Sequence, residues 1–315
     1  MKKIIAFVLA ALMLLSFAGC GSKSANLRFV TGGEAGTYYA FGSVIAQHAS
    51  NNAGVNVVGL VGAGSQSNIE ELKAGNAELA FCQSDVMAYA YNGERLFEEK
   101  VNNFSVLGAL YTEQVQIVTL DPSIKTVADL KGKNVSIGAA GSGVYFNAID
   151  ILGVYGLTED DIKPTYQSFG DSADALKDGK IDAAFIVAGA PTNAVTDLAT
   201  TKDVYLVSLD DEHVEKLLDI SPYYAKCVIV KDVYNLEADV TTVGVGAVVL
   251  AADTVSEDNV YAICKDIFDN ASSLTESHAK YAEINLDYAS SITSVPYHAG
   301  AVKYFNEKGI TVNGK

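Results

Sequence analysis

The sequence has 315 residues, with 22 basic and 38 acidic side chains and a formal net charge of −16. Such an acidic protein repels nucleic acid and anionic membrane surfaces, so we expect neither as a binding partner. The chain is longer than one hydrophobic core usually requires and is long enough for two lobes.

The N-terminus is typical of a lipoprotein signal peptide over residues 1–19. Two lysines precede an apolar run at 4–15, which leads through Ser, Phe, Ala and Gly to Cys20. The run is shorter than the roughly 20 apolar residues that span a bilayer. Its ending resembles a bacterial lipobox, which predicts cleavage before Cys20, lipidation of that residue and a tether over 20–26. Simple cleavage at a nearby small residue is the alternative.

Cleavage would remove two lysines and leave a net charge of −18. The mature protein is then expected outside the cytoplasm, lipid-anchored to the cell membrane, in a periplasm or on the outer membrane face. Arginine is scarce, with Arg28 and Arg95 alone, so an anionic ligand would be held mainly by hydroxyls, amides and backbone N–H groups.

The remaining cysteines and the histidines do not form a recognisable metal or redox motif. Each cysteine lies in an apolar context, which predicts small buried side chains, although a single disulfide remains possible. The histidines are scattered singly, and no metal site or cofactor is expected. The residues are Cys82, Cys227 and Cys264, and His48, His213, His278 and His298.

Apolar, β-branched runs alternate with helical patterns along the chain, which predicts an α/β fold with a largely parallel sheet. Strands are predicted at 27–31, 55–60, 79–82, 104–110, 115–120, 134–138, 164–169, 183–187, 204–209 and 242–252. Helices are predicted at about 38–50, 66–74, 84–92, 143–155, 171–178, 191–199, 256–272 and 276–290.

Residues 72–81 and 176–185 share the pattern L-K-x-G-x-x-acid-x-A-F. Each copy predicts a helix that ends near Lys, a left-handed Gly and then an apolar strand. Any helix-to-strand corner can look alike, but two homologous lobes with facing strand ends are favoured. We assign lobe 1 to 27–112 plus 253–315 and lobe 2 to 113–252, with hinge crossings near 111–116 and 243–253.

Glycine-rich loops follow several of the predicted strands, at 31–39, 61–68 and 138–143. Glycine lets the backbone approach a ligand closely, and free N–H groups at a helix start favour a negative group. The spacing G-G-x-x-G at 32–36 does not match the dinucleotide-binding G-x-G-x-x-G. Ser65 alone fits a capping role equally well. Loops at the carboxyl ends of strands from two lobes predict a ligand cleft.

Catalysis has little support in the sequence. No G-x-S-x-G elbow, H-E-x-x-H helix or phosphate-binding G-x-x-x-x-G-K-[ST] loop occurs, and the glycine loops contain neither His nor Cys. The acids Glu34 and Asp85 would meet in a cleft, but solvated or capping roles are expected. We therefore predict a binding protein rather than an enzyme.

The same loops together resemble the TAXI-type solute receptors of tripartite ATP-independent periplasmic (TRAP) transporters. G-E-A-G-T-Y-Y at 33–39 approaches the family's G-T-G-G-T-Y-Y, and 72–85 matches L-x-x-G-x-x-D-x-A-x-x-Q-S-D except for Glu in place of the first Asp. Further matches fall in the expected order at 63–68, 108–111, 127–133, 141–143 and 185–191. The resemblance covers essentially all of 27–310.

The resemblance implies a two-lobed type II periplasmic-binding-protein fold that binds a small carboxylate, such as glutamate, glutamine or a 2-oxoacid, and docks on a membrane permease. Where the family continues its S-G loop with Thr and an acid, Val144-Tyr145-Phe146 predicts an aromatic wall. A sensory lipoprotein receptor and an extracellular enzyme on the same scaffold are the alternatives. By position the implied ligand contacts are Gly33, Thr37, Tyr38, Gly64, Ser65, Asn68, Gln83, Ser84, Ser142, Gly143 and Ala188.

Overall fold

A computed structural model describes residues 26–315, so the predicted signal peptide and Cys20 lie outside the described residues. The strands are β1 (Asn26–Val30), β2 (Asn56–Leu60), β3 (Leu79–Gln83), β4 (Phe104–Thr119), β5 (Asn134–Ser136), β6 (Lys163–Thr165), β7 (Ala183–Ala188), β8 (Tyr205–Leu206), β9 (Ala225–Ile229) and β10 (Val240–Ala252). The α-helices are α1 (Thr37–Asn52), α2 (Ser65–Ala74), α3 (Ser84–Asn92), α4 (Val144–Val154), α5 (Phe169–Lys177), α6 (Asn193–Ala199), α7 (Asp211–Ile220), α8 (Glu257–Asp269), α9 (Leu286–Ala289) and α10 (Ala299–Glu307).

One sheet runs through both lobes in the order β2-β1-β3-β10-β4-β7-β5-β6, with β8 on β4 and β9 on β10. Strand β1 is parallel to β2 and β3, and β5 is parallel to β6 and β7. The long strands β4 and β10 pair antiparallel with each other and with these two parallel groups. The predicted α/β fold with two lobes and two crossings is confirmed, but the sheet is mixed and not largely parallel as predicted, because β4 and β10 add antiparallel pairs between the two parallel groups.

Strand β4 corrects the prediction of two separate strands at 104–110 and 115–120. It runs unbroken from Phe104 to Thr119, because its central residues 111–114 pair with 244–247 of β10 and no turn residue interrupts them. Two register shifts in β10, at Ala247/Val248 and Val249/Leu250, adapt the pairing between the strands.

Other boundaries differ for local reasons. The strand predicted at 164–169 ends at Thr165, because Ser168 caps α5 by accepting a hydrogen bond from the Asp171 amide. The helix predicted at 276–290 divides into a 3-10 turn at 279–283 and the short α9, which the Asn285 side chain caps. Elements β9, α7 and α10 were not predicted.

The two lobes have separate hydrophobic cores. The first packs β1 to β3 and the start of β4 against the C-terminal helices, and it also includes Ala247–Ala252 of β10. The other lobe contains two clusters built on the end of β4, on β5 and on β7. Separate cores leave a cleft where the lobes meet.

The internal repeat predicts both helix-to-strand corners correctly. Gly75 and Gly179 have φ angles of 72° and 70°, the left-handed conformation that glycine adopts without steric cost. The strands that follow, β3 and β7, end at Gln83 and Ala188, and both of these residues reach the cleft.

The three described cysteines are free thiols. Cys82 and Cys264 are buried as predicted, whereas Cys227, on strand β9 beside β10, is only partly buried. Among residues 26–315, no helix has the length and apolar character needed to cross a membrane.

Candidate functional site

A cavity of about 500 Å³ lies between the lobes, at the carboxyl ends of their parallel strands. This volume is typical of a small-molecule site. Nine of the eleven predicted contact residues line it, namely Gly33, Thr37, Tyr38, Gly64, Ser65, Gln83, Ser142, Gly143 and Ala188.

Three helices begin at this cavity without a side-chain cap. Their N-cap residues are Gly36 for α1, Gly64 for α2 and Gly143 for α4. The first N–H groups of a helix have no intrahelical acceptor, and the helix dipole adds positive potential there. The arrangement can hold a small anionic group without a basic side chain.

Only glycine fits at the point where the α2 and α4 loops meet. Gly64 has a φ of 118°, and a Cβ atom there would lie 2.9 Å from the Ser142 Cα of the other lobe. This close approach fixes the spacing of the two helix starts.

Hydrogen bonds between the lobes show that this is a closed conformation. The Thr37 hydroxyl donates to the Gly189 carbonyl at 3.0 Å. The Ser67 amide, in the first turn of α2, donates to the Gly141 carbonyl at 2.8 Å. Both bonds lie beside the cavity and would break if the lobes moved apart.

A buried polar chain extends from the cavity along the lobe interface. The Gln83 side-chain amide donates to Asn147 Oδ1 at 3.1 Å, and the Asn147 amide donates to Asp85 Oδ2 at 2.9 Å. Burial raises the pKa of Asp85 to about 6. The amide of Asn147 on α4 therefore joins two residues of the first lobe.

An ion pair between the lobes ends this chain near the surface. The Asn147 amide also donates to the Tyr224 hydroxyl, which donates to Asp150 Oδ2 at 3.0 Å. Arg95, which follows α3, donates to Asp150 Oδ1 at 2.5 Å. We call this pair the Arg95–Asp150 clasp.

Some polar atoms at the lobe interface are buried without a hydrogen-bond partner among the described residues. They include Gln83 Oε1 and Asp85 Oδ1 of the first lobe and Ser142 Oγ of the second. An unsatisfied buried polar group costs about 1–3 kcal/mol. Closure of the lobes without a ligand therefore carries a free-energy cost, which contacts with a ligand would offset.

Glu113 is the buried carboxyl of the cavity. It lies on β4 at the crossing between the lobes, is 2% exposed, and accepts a hydrogen bond from the Tyr38 hydroxyl at 2.8 Å. The Tyr38 ring stacks on Phe81, with ring centroids 4.6 Å apart, which holds the hydroxyl in place. Burial raises the pKa of Glu113 to about 8, although the Tyr38 hydrogen bond opposes the shift.

The cavity is otherwise acidic at its rim. Glu34, Asp171 and Asp174 are exposed residues that line it. Of the described residues, no Lys, Arg or His does. The side chains of the site therefore attract cations, and its positive potential comes from backbone N–H groups alone.

Comparison with known proteins identifies the family. The NMT1-like family matches residues 29–309, from the first strand to the last helix. The chain belongs to the NMT1-like family. All the loops that line the cavity fall within the matched range.

Solved structures share the fold of this NMT1-like protein at low sequence identity. The alkanesulfonate-binding protein SsuA from Xanthomonas axonopodis pv. citri, bound to MOPS, is 15% identical, with a TM-score of 0.50 over 91% of this chain and 92% of that one. A putative L-cystine ABC transporter from Listeria monocytogenes is 17% identical, with a TM-score of 0.50 over 86% and 99%. A protein from Bordetella bronchiseptica RB50 is 17% identical, with a TM-score of 0.55 over 90% and 89%. These likenesses show a two-lobed periplasmic-binding-protein fold.

Two predicted contact residues of this NMT1-like protein lie behind the cavity instead of lining it. The Asn68 amide donates to the carbonyls of Thr31 and Phe81 at 2.6 and 2.8 Å, which ties the ends of β1 and β3 together. Ser84 Oγ accepts a hydrogen bond from the Gly246 amide at 2.9 Å. Both side chains position the backbone of the site.

The predicted aromatic wall comes from a different residue. Phe146 packs beside Tyr89 in the first core, and the Tyr145 hydroxyl donates to Glu159, so neither side chain lines the cavity. Val144 lines it, and Phe169 at the start of α5 adds an aromatic surface to that of Tyr38. The capping pattern S-F-G-D at 168–171 was the signal that could have revealed a helix start there.

The sequence did not predict Glu113 as a residue of the site. It is the lone acid in the apolar segment 104–119, an unusual position that indicates a buried functional or structural carboxyl. Asp171 and Asp174 carried no such signal, because acids in a helix are ordinarily solvated.

Proposed function

We propose that this protein is an extracytoplasmic solute-binding protein that closes two lobes around a small carboxylate and delivers it to a TRAP membrane permease. Glutamate, glutamine and 2-oxoacids are the candidate ligands. The observation that carries the proposal is the convergence of three uncapped helix N-termini on one cavity between the lobes.

Backbone amides and a hydroxyl would bind the ligand carboxylate. Ser65 Oγ accepts a hydrogen bond from the backbone N–H of Gln83 at 3.0 Å, so its own O–H is left to donate into the cavity. A carboxylate there would lie against the start of α2, where the dipole also favours it. The site needs no arginine for this role.

Lobe closure would couple binding to transport. The ligand favours the closed form only through the extra contacts that it makes there, and these would offset the unsatisfied polar atoms at the interface. The lobes expected from the sequence are 27–112 plus 253–315 and 113–252. Because residues 247–252 pack in the first core, we propose moving the second boundary to Gly246, so that 247–252 belong to the first lobe. The permease would then recognise the closed surface.

The TRAP assignment is supported by the motifs at 33–39 and 72–85, and the membrane location by Cys20. Lipidation of Cys20 would hold the protein at the cell membrane beside its permease. Replacing Cys20 with Ser should release the mature protein into the soluble fraction. A Cys20→Ser protein that still sediments with membranes would refute the anchor.

A thermal-shift screen tests the binding function. Residues 23–315, refolded to remove bound solute, would be screened against amino acids, 2-oxoacids, dicarboxylates, sugars and nucleotides. Selective binding to the folded state raises the melting temperature with ligand concentration. Stabilisation by a carboxylate that is recovered unchanged supports a binding protein, whereas chemical conversion of the ligand would indicate an enzyme. A response to sugars or nucleotides alone would overturn the ligand class.

Two variants test the position of the site. Ser65→Ala and Gln83→Ala should each weaken binding while the ligand-free melting temperature stays close to that of the wild type. Gln66→Ala, the neighbouring residue of α2 whose side chain does not line the cavity, is the matched control. Unchanged affinity in both variants would place the site elsewhere.

A further inference from the structure

We infer that the ligand carries a protonated amine that pairs with Glu113, so that the carboxylates bound here are α-amino acids and not 2-oxoacids or dicarboxylates that lack an amine. This inference rests on the proposed function, since it adds a second recognition group to the same cavity. It also predicts that binding releases a proton from Glu113.

Glu113 is a buried carboxyl group that has no cationic partner within the part of the protein that the structure describes. Its Oε2 accepts from Tyr38, and among residues 26–315 no Lys, Arg or His nitrogen forms an ion pair with the carboxylate. The residue is nonetheless 2% exposed and lines the cavity. A buried carboxylate without a cation is costly, and a ligand ammonium group within hydrogen-bond distance would remove that cost.

The charged and titratable groups around Glu113 do not replace a ligand cation. Among the described residues, Lys280 is the base that interacts electrostatically with Glu113, and its ammonium group is already engaged by the Ala190 carbonyl at 2.9 Å and by Glu283. Tyr38 favours the ionised form through its hydrogen bond but carries no charge, and Asp85 disfavours it. The other groups that interact electrostatically with Glu113 are uncharged, and these are Cys82, Tyr111 and Tyr288.

An amino acid carries a carboxylate and an ammonium group, and the cavity offers a separate partner for each. The helix starts at Gly64 and Gly143 supply N–H groups for its carboxylate, and Glu113 supplies an anion for its ammonium group. The rim acids Glu34, Asp171 and Asp174 would concentrate cationic groups at the entrance. A dicarboxylate that lacks an amine would bring negative charge to Glu113, and a 2-oxoacid would bring only an uncharged carbonyl, so neither supplies the cation that an ionised Glu113 lacks.

Proton release follows from the state of Glu113 before binding. Because its pKa is raised to about 8, the group is mostly protonated at pH 7. An ammonium ion beside it favours the charged form and lowers its pKa. Binding at pH 7 should therefore release about one proton per ligand, and affinity should rise with pH until it levels off near pH 8.

Isothermal titration calorimetry of the refolded protein tests the inference. The probes are the L-amino acids, and the tightest binder is compared with its own 2-oxo and 2-hydroxy analogues. At pH 8.5, where Glu113 is mostly ionised, we expect at least about a 100-fold preference for the amine, because the analogues bring no cation to the buried carboxylate. Equal or tighter binding of the 2-oxo analogue would overturn the inference and leave the solute-binding function intact. Binding of none of the three classes would overturn the proposed ligand class as well.

Calorimetric titration in phosphate and in Tris measures the number of protons released on binding, because the two buffers differ in ionisation enthalpy. Release by the wild type and no release by Glu113→Gln is the expected result. Glu98→Gln, at an exposed acid that does not line the cavity, should behave as the wild type. Proton uptake on binding would instead mean that a protonated Glu113 donates to a ligand carboxylate, which contradicts the inference.

Tyr38→Phe provides a second variant that keeps the ring against Phe81. The Tyr38 hydrogen bond lowers the pKa of Glu113, so its loss should move the levelling of affinity to higher pH. A variant that binds more weakly at every pH, with no displacement of the profile, would show that the Tyr38 hydroxyl does not act through the pKa of Glu113.

Discussion

Gly143 in one lobe faces the Gln83 side chain of the other so closely that a Cβ atom on Gly143 would lie 1.6 Å from Gln83 Oε1. The Gly143 backbone has a φ of −72° and a ψ of −20°, a conformation that alanine also adopts. A substitution there would obstruct closure of the lobes while leaving the local backbone unstrained.

Gly143→Ala should therefore weaken ligand binding by about tenfold or more, since overpacking a close contact costs about 1–3 kcal/mol. The melting temperature of the ligand-free, open form should change little. Gly153→Ala in the same helix is the matched control, because a Cβ atom there meets nothing within 4 Å. Equal affinities for the two variants, measured by calorimetry, would show that the lobes do not close on Gln83.

The Arg95–Asp150 clasp gives a second prediction about closure. Asp150 is buried, and loss of its partner would leave its charge uncompensated, so Arg95→Gln should weaken binding by about tenfold. The Arg95 side chain is 37% exposed, so salt should also weaken the clasp. We expect affinity to fall with added salt more steeply in the wild type than in the variant.

Arg28→Gln is the control for this experiment. Arg28 pairs with Glu78, and both residues belong to the first lobe. Its loss should lower the melting temperature slightly without changing affinity. If Arg28→Gln and Arg95→Gln weaken binding equally, the clasp has no specific role in closure.

Glu113 should make the ligand-free protein less stable as pH rises. The pKa of its carboxyl is about 8 in the folded protein against an ordinary 4.5, so between these pH values the folded chain binds more protons than the unfolded chain. The free energy of unfolding therefore falls as pH increases through this window.

Glu113→Gln should remove that decline, and its stability relative to the wild type should increase from pH 5 to pH 8.5 by on the order of 3 kcal/mol. Urea unfolding of both proteins at several pH values measures this difference in the free energy of unfolding. Asp85, with a pKa raised to about 6, contributes a similar slope at lower pH in both proteins. Parallel profiles for variant and wild type would show that Glu113 ionises normally.

The free thiols should differ in reactivity. Burial raises the pKa of all three, but Cys227 alone is partly exposed, on strand β9. A thiol reagent should modify Cys227 first in the folded form of residues 23–315, and Cys82 and Cys264 only after unfolding. Cys227→Ser should abolish the early reaction. Early modification of the buried pair would mean that the cores open readily.

Much of the fold follows from local sequence patterns. Apolar runs and glycine corners predicted both parallel groups, and the repeat at 72–81 and 176–185 predicted two similar corners at Gly75 and Gly179. The patterns failed where tertiary contacts dominate. Strand β4 continues through 111–114 because β10 supplies its partner there, and nothing within the segment itself reveals that partner.

The sequence by itself determined the α/β rhythm, the glycine loops at strand ends and the scarcity of basic side chains, because each depends on neighbouring residues or on composition. Only the tertiary structure placed Glu113 in the cavity beside Tyr38 and brought Gly143 against Gln83. These pairs are far apart in sequence and meet through the crossings of β4 and β10. Burial, and with it the pKa of Glu113, is a property of that assembly and not of any segment.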